Sequence, residues 1–247
     1  GVYDGTRIEG DIFQIEKNSV LNSDKRISIS ESLINYWKEN FDYKDTFHEV
    51  IPCCTSFFSN TKKIIFKENS EIKIIFSGSS AKWQSYEIMC KHFSNFLSLN
   101  ASLSIIILSK NRKVFSNIVE RYPNRIKVMW INHKDVKDVL LTADYGYVYR
   151  EKTETNLVSS PVKIAEYLSC GLKLLISDSL GDYFKMSILN NLGINLDDKN
   201  FNFFDLKKVS MSEKKRISKF AQKNLSLESK IIKQKYLRIL DENSFSY

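Results

Sequence analysis

The chain has 247 residues, 43% of them hydrophobic and 27% charged, with a formal net charge of +8. That balance suits a globular protein of one large or two modest domains, and eight glycines with three prolines leave little material for long disordered linkers. No run approaches the roughly 18 apolar residues that span a bilayer, and the opening "GVYDGTRIEGDIF" lacks the basic-then-apolar order of a signal peptide.

The charge is unevenly placed. Residues 1–60 carry six Lys/Arg against ten Asp/Glu, whereas residues 207–240 carry eleven Lys/Arg against two Glu. Basic charge confined to a tail, without aromatic residues interleaved in strands, ranks nucleic-acid binding last. Cys53, Cys54, Cys90 and Cys170 show no paired spacing, and His48, His92 and His133 are scattered. Reduced thiols in a cytoplasm and no zinc site are therefore expected.

In chain order, "KRISISESLINYWKENF" predicts a strand, a cap at Ser30 and a helix, and "HEVIPCC" predicts a strand running into Pro52. With a connector following, residues 1–60 amount to about one and a half α/β units. They are expected to lack a core of their own and to dock on the rest. From residue 71 strand and helix alternate. "EIKIIFSGSS" is a strand; "KWQSYEIMCKHFSNFLSLN" has Tyr86, Met89, Phe93, Phe96 and Leu97 at helical spacing; "LSIIILS" is a doubly buried strand. "RKVFSNIVERY", "DVKDVLLTA" and "PVKIAEYLSC" predict helices, separated by strands "RIKVMWI", "YGYVYR" and "KLLIS". The tail predicts one or two amphipathic helices with Ile217, Phe220, Ala221, Ile232, Tyr236 and Ile239 inward. Repeated strand–helix units with short connections predict an α/β fold with a Rossmann-like open parallel sheet.

Ligands of such sheets sit beyond the carboxyl ends of the strands. Collected there are Ser77-Gly78-Ser79-Ser80 with Lys82, then Trp130 to His133, then Tyr149-Arg150-Glu151 with a polar loop from Asn156 to Pro161, then Gly181-Asp182 in a tight turn. Small residues let backbone N–H groups approach a phosphate, and lysine adds charge. Each feature also has a plain reading: a sterically required Gly/Ser turn, Trp130 in a core, His133 beside a helix cap, Arg150 paired with Glu151 or Glu154. Together, Lys82, Arg150, Lys163 and Glu166 suggest an anionic ligand with hydroxyls, since a carboxylate offers two acceptors to a diol.

The stretch from Gly78 to Asp182 resembles the donor-binding domain of retaining GT-B glycosyltransferases of the family 4 type, as in bacterial polysaccharide assembly. The pieces that carry the resemblance are "FSGSSAKWQ", "ADYGYVYRE", "SSPVKIAEYLSCGLKLLIS" and "LGDY". It covers residues 71 to about 195, with residues 1–60 similar to the closing part of the family's N-terminal acceptor domain. The resemblance implies a nucleotide-binding domain over residues 61–210 and a helical tail over 211–247. It implies Glu166 at the ribose hydroxyls, Lys82 and Arg150 as the catalytic cations at the diphosphate, and Gly78, Ser79, Asn132, His133, Asn156, Ser160, Lys163, Gly181 and Asp182 around the donor. Val158 stands where the family has a first glutamate, leaving Asn156, Ser159 or Ser160 to replace it; Ser79 stands where arginine is usual.

The activity implied is hexosyl transfer with retention, from a nucleotide sugar to a saccharide or lipid-linked saccharide, with no cofactor or essential metal. The alternative is a nucleotide-sugar-binding module without turnover. The opening without methionine is expected of a piece or a processed chain. The basic tail, including Lys214, Lys215 and Arg216, is either a closing helix with solvated lysines or a peripheral contact with anionic membrane at the cytoplasmic face.

Overall fold

A computed structural model of the chain describes residues 8–44, 47–57, 71–79 and 81–241, and of Lys82 the backbone alone. Of the connector expected over residues 55–70, residues 58–70 lie outside the described residues, as does Ser80.

A small lobe comes first, built of α1 (Ile8–Asn22), β1 (Arg26–Ser28), α2 (Glu31–Phe41) and β2 (His48–Val50). The two strands pair in parallel, Arg26 opposite His48 and Ser28 opposite Val50. Helix α2 starts where Ser30 takes extended backbone and its Oγ accepts the Leu33 N–H at 3.0 Å, a cap worth about 1 kcal/mol. Contrary to expectation, the lobe has a core: Val20, Ile34, Trp37, Phe41 and Tyr43 bury together. To that core α1 contributes Val20, with Phe13 packed against it; its weakly amphipathic sequence leaves Ile8 and Ile15 exposed and so hides its helical period.

The large lobe follows as β3 (Ile72–Ser77), α3 (Tyr86–Leu99), β4 (Leu103–Leu108), α4 (Ser116–Arg121), β5 (Ile126–Met129), α5 (His133–Leu140) and β6 (Tyr145–Val148). It continues through α6 (Glu154–Val158), α7 (Val162–Ser169), β7 (Lys173–Ile176), α8 (Gly181–Leu189), β8 (Gly193–Asn195), α9 (Met211–Asn224) and α10 (Lys230–Leu240). All six strands β3 to β8 are parallel, in the order β5-β4-β3-β6-β7-β8. Met89, Phe93, Phe96 and Ile118 cover one face against Ile74, Phe76, Ile105 and Ile107. Leu140, Ile164, Leu168 and Ile217 cover the other against Ile75, Val148, Leu174 and Ile176. Burial on both faces is why these strands read as unbroken apolar runs.

The strand order reverses between β3 and β6. The chain steps outward through β4 and β5, and α5 carries it back so that Ile74 meets Tyr145 and Ile75 meets Gly146. At such a point the succeeding helices lie on opposite faces, and a crevice opens beyond the strand ends. Tyr167 of α7 packs so closely on β6 that a Cβ on Gly146 would fall 2.2 Å from its ring, and its hydroxyl accepts the Ser77 N–H at 2.7 Å. That contact ties α7 to the lip of β3.

The tail joins the lobes. Helix α9 packs on α7, while α10 reaches β2: the Arg238 guanidinium pairs with the Glu49 carboxylate and Lys235 donates to the Val50 carbonyl at 2.6 Å. Ile217, Ala221 and Ile232 are buried as the period predicts, whereas Tyr236 is exposed. Lys214 is no solvated cation; it is buried against Asp144, and Arg216 donates to the Asn190 and Asn191 carbonyls.

Candidate functional site

Beyond the carboxyl ends of β3 and β6 lie the Ser77-Gly78-Ser79 turn and Arg150. The backbone of Arg150 is fixed on both sides, its N–H donating to Ser177 Oγ at 2.9 Å and its carbonyl accepting from Ser179 Oγ at 2.5 Å. Its Nη1 donates to Asn156 Oδ1 and to Ser159 Oγ, each at 3.3 Å, not to Glu151 or Glu154. Its Nε is buried without a partner among the described residues. Burial pulls the guanidinium pKa down from its ordinary value, yet a guanidinium stays charged.

Lys163 and Glu166 are three residues apart on α7 and so share one helix face. Lys163 Nζ donates to Gln84 Oε1 at 2.8 Å and sits 4.5 Å over the Phe76 ring. A Cβ on Gly78 would fall 3.0 Å from that Nζ, so glycine is what lets the ammonium lie against the turn. Burial first, then the Arg150 charge, drive the Lys163 pKa down to about 7, with Glu166 opposing. Glu166 is only 7% exposed, and its Oε1 lies 3.3 Å from Nε2 of the exposed His133, whose ring tilts over Phe57.

The other expected residues divide. Asn132 precedes α5 without a side-chain cap bond, exposed beside His133. Asn156 is buried, its amide donating to the Glu151 carbonyl at 2.8 Å while its oxygen meets Arg150. Ser159 donates to the Asn156 carbonyl. The side chain of Lys82 lies outside the described residues; its backbone opens a single 3₁₀ turn ahead of α3. Ser160, Gly181 and Asp182 make their contacts at the joint between the lobes. Ser160 Oγ accepts the Cys53 N–H at 2.8 Å, and Asp182 accepts from the Glu31 N–H at 2.6 Å and Ser32 Oγ at 2.7 Å, capping α2. Gly181 (φ +45°) opens α8, and a Cβ there would collide with the Leu157 carbonyl at 2.1 Å. Val158 also belongs to that joint, its carbonyl accepting from Ser30 Oγ at 2.7 Å. Trp130 is exposed, not core.

Gln84, Ser85 and Tyr167 were not legible as site residues. Ser85 adopts the left-handed region (φ 49°), and its Oγ accepts the Glu151 N–H at 3.0 Å, bridging the two lips of the crevice. No periodicity marks such a residue. Among the described residues no group of three His, Cys, Asp or Glu side chains is placed to hold a metal ion, and no helix is long and apolar enough to cross a membrane.

No family model matches the sequence, and no curated protein matches it. Solved structures do. TarM of S. aureus, in complex with fondaparinux, alpha-GlcNAc-glycerol and UDP, superposes with a TM-score of 0.68 at 8% identity, over 93% of this chain and 46% of TarM. A glycosyltransferase from Rickettsia africae gives 0.65 at 14% identity over 96% of this chain and 68% of that one. HepE of Anabaena, in complex with UDP and glucose, gives 0.62 at 9% identity over 96% and 68%. The fold is that of the GT-B glycosyltransferases. The chain spans about half the length of TarM.

Proposed function

We propose that the chain is the nucleotide-sugar-binding part of a retaining hexosyltransferase acting on a saccharide or lipid-linked saccharide in surface polysaccharide assembly. The observation that carries this reading is the convergence of three buried charged side chains, Arg150, Lys163 and Glu166, at the strand-order reversal. Glu166 accepts from the two ribose hydroxyls, exchanging its His133 contact for them. Arg150 and Lys82 meet the diphosphate, where the departing group gathers negative charge and fixed cations lower the barrier. The N-terminus of α7, which no side chain caps, adds its dipole at the same place. In this reading the departure of the diphosphate needs no divalent metal. The UDP held by TarM and by HepE supports the choice of ligand class.

A thermal-shift panel of nucleotides and nucleotide sugars tests it, because a ligand that binds only the folded state raises the melting temperature. Stabilisation by one nucleotide family, unaffected by EDTA, is expected; a panel without any shift removes the reading. A second reading, donor binding without turnover, is favoured by Val158, which puts no carboxylate where the family pattern has one. Sugar transfer to an acceptor, measured with the natural full-length protein, separates the two. Cytoplasmic placement belongs to the same proposal, with peripheral attachment through the exposed Lys215, Lys219 and Lys223 of α9.

A further inference from the structure

At the carboxyl end of the sheet the fold buries two cations and satisfies neither with an anion. Among the described residues Lys163 has neutral company, Gln84 Oε1 at 2.8 Å and the Phe76 ring at 4.5 Å. Arg150 stands close enough to oppose its charge and carries an unpartnered, buried Nε. Glu166 is one turn along α7, but its Oε1 is directed to His133. Buried cations without a counter-charge are costly, and such groups beside a crevice are candidates for receiving an anion. We propose that Lys163 is a diphosphate-binding residue: its side-chain nitrogen leaves Gln84, passes beside the Cβ-less Gly78 and, as an ammonium, pairs with the donor's diphosphate. This rests on the nucleotide-sugar reading and adds to it a defined role for Lys163 and a pH dependence.

The geometry permits the move. Nζ already lies against Gly78, the residue that forms the lip of β3, so reaching the crevice needs rotation of the outer torsions of one side chain and no backbone shift. The sign of the proton linkage follows from the groups that face Lys163. Arg150, from the end of β6, and burial disfavour its charge, while Glu166, from α7 and itself facing His133, favours it; Gln84 and Phe76 are neutral. Without ligand the amine is therefore half neutral at about pH 7 and increasingly neutral above it. A diphosphate restores the charged form. Binding above that pH takes up a proton, and affinity falls by up to about tenfold for each pH unit.

The experiment uses UDP-glucose, dTDP-glucose, GDP-mannose and ADP-glucose, whose diphosphate diesters keep their charge between about pH 7 and 8.5. The tightest binder is titrated calorimetrically across that range in two buffers of different ionisation enthalpy. Expected are a roughly tenfold loss of affinity over the range and uptake of close to one proton at the upper end. Lys163→Met is expected to bind more weakly at the lower pH and to show a flat profile. A flat profile or zero uptake with the unaltered protein overturns the proposal while leaving donor binding standing. So does a variant that keeps both affinity and slope. Binding of none of the four sugars fells the donor reading and this proposal together. If Lys163→Met does not fold, the two-buffer measurement on the unaltered chain decides alone.

Discussion

The two ends of the parallel sheet both bury charge, and they treat it in opposite ways. At the amino end Asp144 is fully buried, with Lys214 Nζ at 3.2 Å from Oδ1, Lys208 Nζ at 3.1 Å from Oδ2 and the Lys73 N–H on Oδ2 at 3.0 Å. Lys214 also donates to the Ala143 carbonyl. There Asp144 lies between two ammonium groups and accepts a backbone N–H on Oδ2, while its Oδ1 has the ion pair with Lys214 but no hydrogen bond; the cluster pins α9 beneath the sheet. At the carboxyl end Arg150 and Lys163 meet only neutral oxygens and a ring, and the buried carboxylate of Glu166 faces an exposed imidazole. Paired charge holds a fold together; the proposed function gives the unpaired charge at the crevice a ligand to meet.

The largest effect expected from breaking this contrast is at the amino end. Asp144→Ala leaves Lys214 buried without its partner, so chemical denaturation should show a loss of about 3–5 kcal/mol. Nucleotide-sugar affinity of the folded protein should not change. A variant that unfolds normally but loses the donor would erase the distinction between the two ends.

Next in size are the carboxyl-end charges, with the outcome reversed. Arg150→Met and Glu166→Ala should each weaken nucleotide-sugar binding by roughly 1.5–3 kcal/mol, the range for hydrogen bonds to a charged group. Stability should move by less than about 1 kcal/mol, because these side chains end in neutral or exposed partners. Calorimetry together with urea melts reads both quantities. An affinity untouched in a folded Glu166→Ala protein would take the carboxylate out of the site.

The pH dependence of stability sharpens the comparison further. The Lys163 pKa is depressed to about 7 in the folded chain, so between there and the ordinary lysine range the unfolded state binds more protons. Stability contributed by this residue therefore rises with pH above about 7, by at most about 1.4 kcal/mol per unit. Urea melts of the unliganded protein at several pH values, set against Lys163→Met, should show that rise only in the unaltered chain. Equal slopes in both would mean that the amine is not desolvated.

Smallest is Ser30→Ala, which removes the cap of α2 and the bond to the Val158 carbonyl at once. About 1–2 kcal/mol of stability should be lost. A loss well below that range would show that the joint depends little on this hydroxyl.

How far each feature was legible follows from the range of the interaction behind it. The strands β3, β4, β6 and β7, the helix α3 with Met89, Phe93 and Phe96 inward, and the Ser30 cap are local patterns of period and spacing, and short stretches of residues displayed each of them directly. The same local pattern put Arg150, Lys163 and Glu166 near strand ends, because a parallel α/β sheet has only one end where its ligands bind. Helix α1 was hidden because its period is weak, and the solvent exposure assumed for the tail failed at Lys214, whose partner Asp144 is 70 residues away in sequence. Distant pairings are set by packing, which no window of residues contains. The tertiary structure alone decided that Asp182 caps a helix of the other lobe, that Ser160 serves the joint with Cys53, and that Gln84 and Gly78 surround the amine of Lys163. The sequence supplied which charges exist and the architecture they belong to; which of them are neutralised, and which are left waiting, depended on contacts between segments that only the folded chain brings together.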